Sequence, residues 1–206
     1  RPELGRVRRL VFVCLGNINR SAYGQVVAER RGLPAASFGL STTTGHAATP
    51  QAIATARTLG LDLDAHRATD MADFEIRPGD LLLVMEIRHA RLLAPRVAGT
   101  GAQIALLGCW ARPRRPHIHD PHTLDPAYFP TCFAVIDDAV GRLSGALRPV
   151  RASATKTTCC TCRPRWQAAR RWSTTPPNSK ACCWTCGCSA ATRRRASPGP
   201  GPGAGP

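Results

Sequence analysis

The stretch Leu10-Val-Phe-Val-Cys14-Leu-Gly-Asn-Ile-Asn-Arg20-Ser21 decides the fold. Its apolar run, Leu10 to Val13, is too short and too β-branched for a helix and predicts a buried strand. Cys14 ends that strand. Arg20 follows six positions later, across a Gly/Asn-containing turn that can curl its backbone amides inward. From Ser21 the pattern turns helical, Ser-Ala-Tyr-Gly-Gln-Val-Val-Ala-Glu-Arg-Arg, and Gly32 stops it. A thiol within a ring of N–H groups, with a guanidinium beside it and a helix N-terminus below, suits a phosphate or similar oxyanion. The same surroundings favour a thiolate. The stretch therefore predicts a nucleophile for phosphoryl transfer.

Outward from it, strands and helices alternate. Ala36-Ser-Phe-Gly-Leu predicts a second strand ending near Ser41, and Thr49-Pro50 a helix start that runs through Ile53, Ala56 and Leu59 to Gly60. Asp80 to Met85 is an almost continuous apolar run, as in a strand buried on both faces. A helix through His89, Leu92 and Leu93 follows, with Pro95 expected to break it, and then a strand from Gln103 to Leu107. The Pro- and His-rich segment from Ala111 to Pro130 reads as a loop. From Thr131, apolar residues from Phe133 to Leu147 recur at helical spacing. The order predicts an α/β fold: a small four-stranded parallel sheet with helices on both faces, Rossmann-like. Ligands of such sheets bind beyond the carboxyl ends of the strands, where Cys14 falls.

Charge and cysteine divide the chain near residue 150. Residues 1–150 hold 18 arginines against 13 acids, whereas 151–206 hold 10 basic residues and no acid. The basic balance thus belongs mostly to the tail, so nucleic-acid binding is not expected of the body, though the tail leaves room for it. Three cysteines, Cys14, Cys109 and Cys132, are spread through the body and seven are clustered between Cys159 and Cys188. Widely spaced body thiols point to a reducing cytoplasm, with Cys109 and Cys132 expected as small core residues. No apolar run approaches a membrane span and no signal-like apolar stretch precedes the first strand, so no membrane association is expected. The segment 151–206 has no Leu, Ile or Val and cannot build a core. Its Cys-x-x-Cys spacings, Cys159/Cys162 and Cys183/Cys186, admit a zinc-ribbon reading. Its Arg, Cys, Trp, Pro and Gly bias, with no strand or helix signal, favours a disordered, degenerate extension. Two units follow: a catalytic body at 1–150 and a tail at 151–206.

With its motif placed between a buried strand and a helix start, the body resembles the low-molecular-weight protein tyrosine phosphatases. The resemblance implies a phosphate-binding loop made of Leu15, Gly16, Asn17, Ile18, Asn19 and Ser21 around the nucleophile Cys14. It implies that Arg20 clamps the phosphate oxygens in bidentate fashion and that Ser21 assists the thiolate. It makes Asn17 the loop residue of unusual backbone conformation, held by Ser21, Ser41 and His66. A general acid is expected from an Asp-Pro pair before the last helix. Asp120-Pro121 and Asp125-Pro126 both qualify, Asp120 being favoured by its flank and Asp125 having the better spacing to Phe133. The implied reaction needs no cofactor or metal. Its substrates are tyrosine-phosphorylated proteins, and inorganic phosphate is product and inhibitor.

Three departures from the family pattern stand out. Asn19 replaces a second loop cysteine that would guard Cys14 by a reversible disulfide, His122 replaces an aromatic wall, and Ala22 replaces a helix-starting proline. His117, His119 and His122 alternate, but no Cys or acid at fitting spacing completes a zinc site. Two rival readings remain. A thioredoxin-coupled arsenate reductase on the same fold would need a further close cysteine pair. A non-catalytic phosphate-binding module would have no use for an acid on the late loop.

Overall fold

The computed structural model describes residues 2–147, and the 151–206 tail, with its expected disorder and its Cys-x-x-Cys pairs, lies outside them. Four strands, β1 (Arg9–Cys14), β2 (Ala35–Gly39), β3 (Asp80–Val84) and β4 (Gln103–Leu106), form one parallel sheet in the order β2-β1-β3-β4. Four helices join and follow them: α1 (Arg20–Arg30), α2 (Pro50–Thr58), α3 (Ile87–Val97) and α4 (Tyr128–Leu147). Short 3-10 turns occupy Leu4–Arg6, Leu107–Cys109 and Pro121–Thr123.

Burial on both faces explains the uninterrupted apolar strands. Leu10, Phe12, Leu81 and Leu83 face one core with Val27 of α1 and Phe133, Ile136 and Val140 of α4. Val11, Val13, Leu82 and Val84 face a second core with Leu93 of α3. Tyr23 of α1 stacks on Phe133 of α4, ring centroids 3.9 Å apart, locking the helix that begins at Arg20 to the last helix.

The chain leaves β1 in one direction for β2 and the other for β3, so the strand order reverses at β1. The crevice there lies beyond the carboxyl ends of β1 and β3. Gly39, at the end of β2, leaves room for the turn after β1: a Cβ there would come within 2.8 Å of the Leu15 carbonyl oxygen.

Two boundaries differ from expectation. Pro95 does not break α3, which runs on to Val97. The last helix starts at Tyr128, three residues before Thr131, with Pro130 in its first turn, where a missing N–H costs nothing.

Candidate active site

Cys14 sits at the end of β1, almost wholly buried, with its Sγ 3.0 Å from Ser21 Oγ. The loop curls back over it, and the Asn17 N–H donates to Cys14 Sγ at 3.2 Å. Among the described residues, the N–H groups of Gly16, Ile18, Asn19 and Arg20 have no protein acceptor, leaving a ring of donors for an oxyanion.

The loop's sharpest turn is at Asn17, whose φ of 52° is in the left-handed region. Four contacts hold it there. Asn17 Nδ2 donates to Ser21 Oγ and to Ser37 Oγ, both at 2.8 Å, and Asn17 Oδ1 accepts from the Thr69 N–H at 2.9 Å. The Asn17 carbonyl lies 2.8 Å from His66 Nε2. A carbonyl only accepts, so the proton is on Nε2. Burial draws the His66 pKa below its ordinary value, against the pull of that hydrogen bond. With Asn17 donating to Ser21 Oγ, the Ser21 proton is available to Cys14.

Of the two residues expected to hold Asn17 along with Ser21, the structure brings His66 to it and not Ser41. Ser41 is exposed and contributes only its N–H, to the Leu15 carbonyl. Ser37 takes its place, because Phe38 points into the α3-side core and alternation turns Ser37 to the α1 side. There Ser37 also donates to Gln25 Oε1 at 2.6 Å. A serine next to Phe38 inside a strand was the available signal.

Asn19 is buried at the start of α1, and its Oδ1 accepts from Thr49 Oγ1 at 2.6 Å. Thr49 Oγ1 in turn caps α2 by accepting from the Ala52 N–H. The residue that replaces a second cysteine thus ties the loop to α2.

Arg20 is fully buried. Its Nη1 donates to Glu86 Oε1 and to the Ile118 carbonyl, both at 2.8 Å, and its Nη2 to Asp120 Oδ2 at 2.5 Å. Burial alone would lower its affinity for a proton, but Cys14, Asp120 and Glu86 outweigh it and raise the pKa. Its Nε is buried without a partner, an unmet donor that an anion would satisfy.

The two candidate acids separate cleanly. Asp120 reaches Arg20 and accepts from the His122 N–H through its other oxygen. Asp125 is exposed, and its carboxylate accepts only from the Ala127 N–H. Sequence reasoning missed Glu86 altogether. It follows Met85 directly beyond β3, at the carboxyl end where the crevice opens, and an acid there was the sign. Its outer side meets Arg88, Nε to Oε2 at 2.9 Å. Cys132 is buried in the core as expected, but Cys109 is only partly buried, because the turn after β4 brings it to the surface. Among the described residues, no three His, Cys, Asp or Glu side chains are grouped to hold a metal, and no helix is long and apolar enough to cross a membrane.

The chain is similar to known proteins in sequence and in fold. The chain is 28% identical over 141 residues to the low molecular weight protein-tyrosine-phosphatase Wzb of Salmonella typhi, covering 68% of this chain and 93% of the relative. The crystal structure of the tyrosine phosphatase AmsI of Erwinia amylovora superposes with a TM-score of 0.60 at 27% identity, over 69% of this chain and 95% of that one. Wzb of Escherichia coli K30 in complex with sulphate gives 0.59 at 26% identity, over 68% and 99%. A family model described as low molecular weight phosphotyrosine protein phosphatase matches residues 9–153. With the thiol, the guanidinium and the loop in place, the chain belongs to the low molecular weight phosphotyrosine protein phosphatase family.

Proposed function

We propose that the protein hydrolyses phosphomonoesters, chiefly phosphotyrosine on proteins, through a phosphocysteine at Cys14 with Asp120 as general acid. The observation that carries this reading is the meeting of three chain segments at one buried guanidinium. Arg20 follows the Cys14 loop and holds Asp120 from the late loop and Glu86 from the end of β3. An incoming phosphate dianion meets the unpaired Nε and takes over donors now given to the Asp120 carboxylate, which, released from Arg20 and facing the dianion, takes a proton from solvent and holds it toward the leaving-group oxygen. The Cys14 thiolate attacks phosphorus in line, the P–O bond breaks, and the phenolic oxygen takes the Asp120 proton. In the second step the Asp120 carboxylate takes a proton from water, the water oxygen bonds phosphorus, and the thiolate leaves with the Ser21 hydroxyl donating to it. Arg20 supplies fixed positive charge to the spreading equatorial charge throughout.

The long phosphotyrosine side chain suits a thiol this deep, with the partly exposed Leu15 at the loop's rim. The bound sulphate of the E. coli relative fits a loop built for tetrahedral oxyanions, with inorganic phosphate as product and inhibitor. A free nucleophilic thiol suits a reducing compartment, and we assign the enzyme to the cytoplasm.

Hydrolysis of p-nitrophenyl phosphate without metal, by the wild type and by Cys14→Ser, Asp120→Asn and Asp125→Asn, tests the reading. Turnover lost in the first two variants and kept in the third is expected. An inactive wild type, or one that reduces arsenate instead, rejects it.

A further inference from the structure

β4 is one of the two outer strands of the sheet, and among the described residues no strand pairs with its far edge. An open edge presents backbone donors and acceptors to an extended chain. A groove of about 950 Å³ lies along it, lined by Ile104, Leu106 and Trp110 and by the arginines Arg112, Arg114 and Arg142. No acid lines it. Arg142 meets Asp138, whose other oxygen accepts the Arg112 N–H, but among the described residues the guanidinium groups of Arg112 and Arg114 form no ion pair. The wall therefore carries more positive charge than Asp138 offsets, beside apolar surface.

That charge selects the occupant. The chain's own segment 151–206, with ten basic residues and no acid, would meet like charge, and the body is itself basic. An acidic partner is complementary. The groove is also tied to the reacting centre by one short connection. The Arg115 N–H donates to the Gly108 carbonyl at 2.9 Å, and the Ile118 N–H to the Met85 carbonyl at the same distance. Gly108 is needed there, because a Cβ would fall 1.8 Å from the Arg115 carbonyl oxygen. Two residues beyond Ile118 the same segment delivers Asp120 to Arg20. Arg114 and Asp120 are six positions apart, so the groove lies within roughly 20 Å of chain from the acid.

We propose that this groove docks an acidic, extended segment of the phosphoprotein substrate along the edge of β4, while the phosphotyrosine of the same polypeptide enters the Cys14 loop. The proposal rests on the phosphatase reading for the identity of the partner. Docking raises the effective concentration of the phosphate group at Cys14 without adding a contact to it.

The test uses the full chain and Arg112→Glu/Arg114→Glu, both positions exposed and outside the catalytic loop. Two phosphotyrosine peptides of equal length are compared, one carrying a run of Glu about six residues from the phosphotyrosine and one carrying Ser there, alongside p-nitrophenyl phosphate. The wild type should prefer the acidic peptide by about tenfold in kcat/KM, and rising salt should erode the preference. The double variant should lose it while hydrolysing p-nitrophenyl phosphate at the wild-type rate. Equal use of both peptides by the wild type, or a preference that survives charge reversal, overturns the docking site. A wild type that turns over none of the three rejects the phosphatase reading instead. Fluorescence anisotropy with the labelled, unphosphorylated acidic peptide then decides the groove: binding abolished by charge reversal supports it, and no binding overturns it.

Discussion

Glu86→Gln is the most informative single perturbation of the site. The substitution keeps an oxygen within reach of Arg20 Nη1 and removes one negative charge from beside a fully buried cation. Removing one partner of a buried ion pair outright costs about 3–5 kcal/mol, and a hydrogen bond to a charged group contributes about 1.5–3 kcal/mol. Gln retains a neutral bond and Asp120 remains as counter-charge, so about 2 kcal/mol of destabilisation is expected. For a chain of this size that is a fall of roughly 4–8 °C in Tm. The catalytic effect comes from orientation. Without the Glu86 charge, Nη1 is steered only by two neutral acceptors, the Gln oxygen and the Ile118 carbonyl, and a misplacement near 1 Å costs about 100-fold in rate. Thermal unfolding and p-nitrophenyl phosphate kinetics read the two effects separately. Glu86→Asp should recover part of the activity. Arg88→Ala, which removes the exposed outer partner, should change stability by less than about 1 kcal/mol. A Glu86→Gln enzyme with wild-type kcat and Tm would refute the view that Glu86 holds the guanidinium in place.

Other outcomes follow from the same geometry. Asp120→Asn should lower kcat by about 100- to 10,000-fold and Asp125→Asn hardly at all, because only Asp120 reaches Arg20; steady-state kinetics on an aryl phosphate checks both. Ser37→Ala leaves the Asn17 amide with one acceptor fewer and Gln25 Oε1 without its donor, costing about 1–3 kcal/mol, whereas Ser41→Ala should lie within about 0.5 kcal/mol of the wild type in urea unfolding. His89 is buried with neither ring nitrogen bonded, and burial, against the pull of Glu86, brings its pKa from 6.5 down to about 4. Between those pH values the unfolded chain binds a proton that the native state refuses, so stability is complete above the window and falls as pH drops through it. The loss reaches about 3 kcal/mol by pH 4, and His89→Leu should flatten that part of a stability–pH curve, leaving the smaller contribution of His66 in the same direction.

The parts of the site that are local in sequence were legible, and those assembled across the sheet were not. Cys14 to Ser21 could be read because strand end, turn and helix start are contiguous and each leaves its own pattern. The parallel sheet was legible because β1 and β3 are buried on both faces and show it as unbroken apolar runs. The choice between Asp120 and Asp125 depended on which of two exposed-looking loop residues folds back on a guanidinium a hundred positions earlier. Ser41 was expected from the family resemblance alone, whereas the direction of side chains in β2 brings Ser37 to Asn17. Glu86 gave no motif; its role follows only from β3 lying next to β1, which places an acid just past one strand beside an arginine just past the other.

Trapping the covalent intermediate tests the account most directly. A radiolabelled aryl phosphate, mixed rapidly with enzyme and quenched, should leave phosphate on the wild-type chain at a peptide containing Cys14. The label should be absent from Cys14→Ala and should form more slowly in Asp120→Asn. Turnover by the wild type with no protein-bound phosphate, or label retained in Cys14→Ala, would contradict the assignment of Cys14 as nucleophile.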